Sequence, residues 1–318
     1  MINQYKPEGM LIGQPENRDA ISSLQNLERA MKEGRILEST VLLCDSNMRL
    51  HVDLYGIKGI IEKRDVLFCR EDEVFKDIAV ITRVGKPVCF KVIGFSKENG
   101  KTVALLSRRE AQKECIASYL SGLIPGDVIP AKVTHNEKFG AFVDIGCGVS
   151  SLLSVDSISV SRISHPCDRL SVGDEIFTVV KSIDYSTGRI YVGMRELLGT
   201  WEENAKKFEA GQTVAGIVRS IESYGVFVEL APNLAGLAEI REGTRDREIA
   251  VVGQRVAAYI KSIIPDRMKI KLVLIDTYKG TNPLSEIEYF VDVNKTLHID
   301  KWRYSPPYAH KLIESVFE

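Results

Sequence analysis

Along most of this chain, Val, Ile, Phe and Tyr alternate with polar residues in short stretches bounded by Gly, Asn, Asp and Ser, the pattern of half-buried antiparallel strands. The stretches recur as a block. "GDVIPAKVTHNEKFGAFVDI" from Gly126 lies over "GQTVAGIVRSIESYGVFVEL" from Gly211 with Gly140 and Gly225 in register, and "SVGDEIFTVVKSIDYSTGRIYVGMRE" from Ser171 parallels "VVGQRVAAYIKSIIPDRMKIKLVLID" from Val251. A weaker copy precedes them, from Ser39 to Glu110. The repeat is about 80 to 90 residues, and the five or so strands in each copy imply one small barrel per repeat.

Between the copies the apolar period changes from two to that of a helix. "SRREAQKECIASYLSG" and "MRELLGTWEENAKKFEAG" carry Ala, Glu, Lys and Leu at helical spacing and end in Gly, which predicts connecting helices. A further helix is expected through "RDAISSLQNLERAMKEG" near the N-terminus. The C-terminal stretch from Asn282 belongs to no repeat, and its pattern assigns it no fold.

Composition narrows the function. The chain is globular, with 44% apolar and 27% charged residues, and its net charge of −1 and pI of about 6.6 give no global positive field to draw it to duplex DNA or an anionic membrane. Binding to nucleic acid would therefore have to come from local chemistry. No apolar run approaches the roughly 20 residues of a membrane span, and "MINQYKPEGM" lacks a signal-peptide core, so a cytoplasmic protein is expected. Six cysteines stand singly, without a C-x-x-C pair, and read as reduced thiols; His165 and Cys167 in "SHPCD" have no second close pair, so no metal is expected. "GFSKENGKT" misses phosphate-loop spacing by one residue and leads into a strand, so it reads as a turn. No nucleophile–base or paired-carboxylate pattern appears, and His298 and His310 read as surface residues. The expectation is a binding protein without catalytic residues, cofactor or small-molecule substrate.

The pair Phe139 and Phe142 supplies the local chemistry. In "NEKFGAFVDIG" the alternation puts Val143 and Ile145 on one face and Phe142 with Asp144 on the other; an Asp belongs outside a barrel, so Phe142 faces outward. The same logic turns Phe227 outward beside Glu229. A bulge or bend at Gly140 or Gly225 would bring Phe139 or Tyr224 round to that face and make a two-ring platform. A lone ring in a strand is ordinarily core, but two outward rings repeated in two copies match single-stranded nucleic acid, whose bases stack on exposed aromatics.

"KFGAFVDIG" and "SYGVFVELAPNLAGLAEI", followed by "VGDEI", "VKSID" and "GRI", resemble the RNA-binding domain of the bacterial small-subunit ribosomal protein S-one (S1) family. The resemblance covers about residues 34 to 276 and implies a mainly β fold of three tandem five-stranded OB-fold barrels joined by short helices, with an α N-terminal segment and a mixed C-terminal extension. The boundaries it suggests are residues 1–33 for the N-terminal segment, 34–107 for a degenerate first domain, 108–121 and 197–208 for linker helices, 122–196 and 209–276 for RNA-binding domains, and 277–318 for the extension. It implies single-stranded RNA as ligand on the ring-bearing face, with Asp184 and Arg189 beside it in repeat two, and Lys269 in place of that Arg in repeat three. Ser154 and Glu239 stand where the family often has His. Lys138 and Lys181 complete the basic border of one platform, and Arg219 and Lys261, with Arg241, Arg245 and Arg247, that of the other. Repeat one has Met48 and His51 at the ring positions and Ser96 in place of Asp184, so it lacks the platform. In the family such N-terminal copies dock to the ribosome, which makes the small ribosomal subunit a candidate partner. The rival readings are a protein-interaction adaptor using the barrels and the tail "KWRYSPPYAHKLIESVF", or a ribonuclease accessory subunit.

Overall fold

The computed structural model describes residues 4–69, 75–239, 250–278 and 287–317, and these fall into two compact units. One comprises residues 1–123 with 130–132 and 144–150, and the other residues 124–129, 133–143 and 151–318. Three five-stranded closed barrels account for most of the chain. The first is built from β1 (Leu37–Cys44), β2 (Leu50–Leu54), β3 (Ile57–Ile61), β4 (Pro87–Glu98) and β5 (Lys101–Ser107). The second uses β6 (Val128–Glu137), β7 (Gly140–Asp144), β8 (Ser150–Ser154), β9 (Glu175–Asp184) and β10 (Arg189–Gly193). The third uses β11 (Thr213–Glu222), β12 (Gly225–Ala231), β13 (Leu234–Glu239), β14 (Arg255–Ile264) and β15 (Lys269–Tyr278). In each, the third and fifth strands pair in parallel and the other contacts are antiparallel, the OB-fold arrangement.

Closure bends the strands at matching places. The register slips by one residue at Leu42 in β1 and Arg219 in β11, and again at Ile93 in β4, Lys181 in β9 and Lys261 in β14. A bulge leaves one residue unpaired and increases local twist, which a short sheet needs in order to curl into a ring. It also shifts the inward–outward alternation for every residue beyond it.

The helices are shorter than the sequence pattern predicts. The single N-terminal helix expected over residues 18–34 is two, α1 (Pro15–Ile21) and α2 (Leu24–Glu33), because Ser23 caps the second: its Oγ accepts from Asn26 N at 3.2 Å. After α3 (Ile78–Ile81), α4 (Arg108–Ser118) starts from a Ser107 cap. The connection between barrels two and three contains a 3-10 turn at Arg195–Leu197 and the short α5 (Trp201–Ala205), held by a Thr200–Glu203 capping box. Buried Cys89, Cys115 and Cys147, far apart in sequence, sit side by side with Cys147 within hydrogen-bond reach of both others; all six thiols are free. The phosphate-loop lookalike is the β4–β5 turn, with Asn99 and Gly100 at φ 50° and 77°.

The C-terminal stretch, which the sequence left without a fold, contributes core. It forms the small sheet β16 (Lys301–Arg303) and β17 (Glu314–Val316) and buries Trp302 and Tyr304 in the third barrel's hydrophobic cluster. The Tyr304 hydroxyl donates to Asn233 O at 2.6 Å, and burial raises its pKa. Tyr289 Oη accepts from Phe177 N, and His298, expected at the surface, is half-buried and bonded to Asp127 at 2.7 Å.

Two stability outcomes follow from this packing. Trp302→Ala should lower the stability of the unit holding barrel three by about 3–5 kcal/mol in urea unfolding. Trp302→Phe should cost far less, because the indole N–H has no partner among the described residues; a loss below about 1 kcal/mol for the alanine would show that the tail is dispensable. Gly140→Ala would put a Cβ 2.6 Å from Leu153 O and 2.9 Å from Ser154 Cα. Backbone cannot yield as a side chain does, so a loss of about 1–3 kcal/mol is expected from thermal melts, and an unchanged melting temperature would contradict the close crossing of β7 and β8.

Candidate nucleic-acid interface

The two ring pairs have the same geometry. Phe139 and Phe142 lie 6.0 Å apart at 90°, and Tyr224 and Phe227 lie 6.1 Å apart at 87°. The first ring of each pair is 56% and 59% exposed, and the second is half-buried on the barrel wall. The expected bulge or bend at Gly140 and Gly225 is not what unites them. Phe139 and Tyr224 stand in the two-residue turns between the first two strands, and the turn aims them back over Phe142 and Phe227. The glycines act by close approach: a Cβ at Gly225 would meet Leu237 Cδ1 at 2.6 Å and Ala238 O at 2.8 Å.

Around each pair a continuous outer face crosses three strands. In barrel three Phe227 pairs with Leu237 and Leu237 with Lys271, giving a row of ring, aliphatic chain and ammonium. In barrel two Leu152 pairs with Tyr191, an exposed ring that the alternation in "RIYV" makes legible beside Arg189. His135 adds a further ring at 6.4 Å and 23° to Phe142, and its Nε2 lies 2.7 Å from Glu137 Oε1. His135 escapes strict alternation, which would put it inside with Val133. Its counterpart in barrel three, Ser220, lies just past the Arg219 bulge and pairs with Phe227.

The family's missing histidine has a lysine brought to its place in both barrels. Lys181 Nζ donates to Ser157 Oγ at 2.8 Å, and Ser157 Oγ lies 2.8 Å from Ser154 Oγ; burial lowers the Lys181 pKa. In barrel three Lys271 Nζ is 3.0 Å from Glu239 Oε1. Asp184 is paired across its hairpin with Arg189, yet its carboxylate is occupied locally, accepting from the hydroxyls of Ser186 and Thr187 at 2.6 Å each; these bonds hold its pKa down to about 2. Lys138, Arg189, Lys261 and Lys269 are exposed.

Arg219 is a correction. Its bulge turns it inward, where it is 9% exposed and its Nε donates to Glu229 Oε2 at 2.7 Å, so it is committed to a buried carboxylate instead of standing as a solvated charge beside the rings. Outward Asp144 and Glu229 are likewise buried, not solvated: Asp144 accepts from Glu8, Gly146 and Gly148 backbone N–H groups. Arg241, Arg245 and Arg247 lie outside the described residues. His165 Nδ1 accepts from Cys167 N in a tight turn, and among the described residues no cluster of His, Cys, Asp or Glu could hold a metal. In barrel one, Met48 adopts φ 61° and packs on the barrel core, while His51 bonds Asp45 at 2.9 Å, with Arg49 on the same carboxylate. That ion cluster takes in the second of the two ring positions.

Residues 123–195 match the S1 RNA binding domain. The small ribosomal subunit protein bS1 of Leuconostoc lactis is 29% identical over 266 residues, 80% of this chain and 59% of the relative. That of Staphylococcus aureus (strain COL) is 32% identical over 214 residues, 64% of this chain and 53% of the relative. Among solved structures, that of GSP13 from Bacillus subtilis aligns at 29% identity over 23% of this chain and 56% of its own, with a TM-score of 0.22. The chain spans about half the length of the curated relatives it matches. No helix among the described residues is long and apolar enough to cross a membrane. Barrel two thus matches an S1 RNA binding domain, and the chain is similar to bS1 proteins over 64–80% of its length.

Proposed function

We propose that barrels two and three capture single-stranded RNA by stacking bases on Phe139 with Phe142 and on Tyr224 with Phe227. The observation that carries this reading is the duplicated, exposed, edge-to-face ring pair in one position of two barrels. Perpendicular rings present their faces in different directions, so each serves a different base. Stacking needs no strong positive field, which suits a chain of net charge −1. Lys181, Asp184, Arg189, Lys261, Lys269 and Lys271 surround the platforms with groups for sugar and phosphate contact. The names of the relatives support placing this RNA capture at the small ribosomal subunit, on mRNA. Barrel one, without rings, takes a docking role. The tail's Trp302 and Tyr304 are core residues, so neither ring is free for a protein partner.

In an anisotropy titration with labelled U-rich RNA, Tyr224→Ala with Phe227→Ala, or Phe139→Ala with Phe142→Ala, should weaken that barrel's binding by about 2–4 kcal/mol. Phe139→Ala or Tyr224→Ala alone should leave the melting temperature almost unchanged, since these rings are more than half exposed. Unchanged RNA affinity in both double variants would sink the stacking reading.

A further inference from the structure

A second polar feature lies beside the platform of barrel three. Glu229 is two residues from Phe227 on β12, so both side chains leave the same face of the strand about 7 Å apart. Glu229 is 4% exposed and accepts from two guanidinium groups. Arg169 of barrel two grips it with both terminal nitrogens at 2.8 and 2.9 Å, and Arg219 donates from Nε at 2.7 Å. Arg219 Nη1 also lies 3.6 Å from Asp168. These groups line a cleft of about 280 Å³ with exposed Arg255 at the start of β14.

The charges do not cancel. Three arginines face two carboxylates, leaving one positive charge in excess. Arg169 is only 6% exposed, and its Nε finds no hydrogen-bond partner among the described residues. A buried guanidinium N–H without an acceptor is costly, so an arrangement that serves only to join the barrels leaves this donor unexplained. An acceptor anion in the cleft explains it.

We propose that this cleft is a phosphate site, and that its occupant is the backbone phosphodiester next to the base stacked on Phe227. The assignment rests on the RNA-binding reading above. Exposed Arg255 and the unpartnered Arg169 Nε supply the donors, guanidinium groups of the kind that suits phosphate oxygens. Glu229 keeps two arginines ordered and limits the surplus charge to one, enough to hold a phosphodiester weakly while the rings provide most of the affinity.

The test uses the full chain and fluorescein-labelled U-rich RNA titrated at several KCl concentrations. Arg255→Gln, a change at an exposed position, should weaken binding at least threefold at low salt and reduce the slope of log affinity against log salt by about 0.7, the loss of one single-strand phosphate contact. Tyr224→Ala should weaken binding with the slope unchanged. Wild type and Arg255→Gln should also bind equally an RNA whose phosphates are replaced by neutral methylphosphonates. If wild type binds RNA but Arg255→Gln shows the same slope and affinity, the cleft is not a phosphate site on the RNA path. If inorganic phosphate raises the melting temperature of wild type but not of Arg255→Gln while the RNA slopes stay equal, the cleft holds a free anion and the strand assignment is overturned. Failure of wild type to bind any RNA would instead overturn the platform reading, and this assignment with it.

Discussion

Closing five short strands into a ring is the constraint on which the other features depend. Every strand edge is paired, so curvature must come from within the strands, and the bulges at Leu42, Ile93, Lys181, Arg219 and Lys261 supply it. Each bulge fixes which side chains beyond it face out. Past Arg219 the shifted register sets Ser220 opposite Phe227; past Lys181 it sets Ser182 opposite Tyr191. The tight β6–β7 and β11–β12 turns then have one exit direction for Phe139 and Tyr224. Gly140 and Gly225 let the third strand pass close beneath them, so ring, turn and glycine form one device.

The outward carboxylates show how the same positions serve packing. Glu229 is buried between two arginines, one from each of two barrels, and Asn233 extends the junction by accepting from Val160 N and donating to Arg195 O and Gly199 O. Desolvation makes such a cluster a poor source of net stability, but removing one partner strands a buried charge at about 3–5 kcal/mol. A cluster of this kind tolerates few alternative arrangements. It therefore serves to hold barrels two and three in one relation. The tail reinforces the junction, since Tyr304 reaches the carbonyl of the same Asn233.

Much of this was legible in the sequence, and what was not has a common cause. Repetition revealed the three barrels, and alternation placed Phe142 and Phe227 on the outer wall. Alternation assumes an unbroken period of two, so it failed at Arg219, whose buried fate depends on a one-residue slip that no residue type in the strand announces, and it missed the exposed His135 ring. Tyr191, by contrast, lay within reach of alternation two residues from Arg189. The tail was illegible for another reason. Its Trp302 and Tyr304 find their partners in residues about 70 to 100 positions earlier, among them Asn233 and Trp201, and no local period encodes a contact of that range.

Barrel one shows that closure alone does not produce a platform. It has the same ring order and the same two bulge positions, yet its first hairpin runs through a longer turn, in which Asp45 accepts from Asn47 N and Arg49 N. Those bonds, with His51 as the largest influence, hold the Asp45 pKa far below the usual carboxylate range. The charged cluster keeps His51 against the wall, while the left-handed backbone at Met48 directs that side chain onto the core. Two rings placed at these positions would meet a different turn, so the platform is a property of the two-residue hairpin as much as of its aromatics. The OB barrel supplies the wall, and the two barrels whose first turn has two residues are the ones whose wall carries a ring pair.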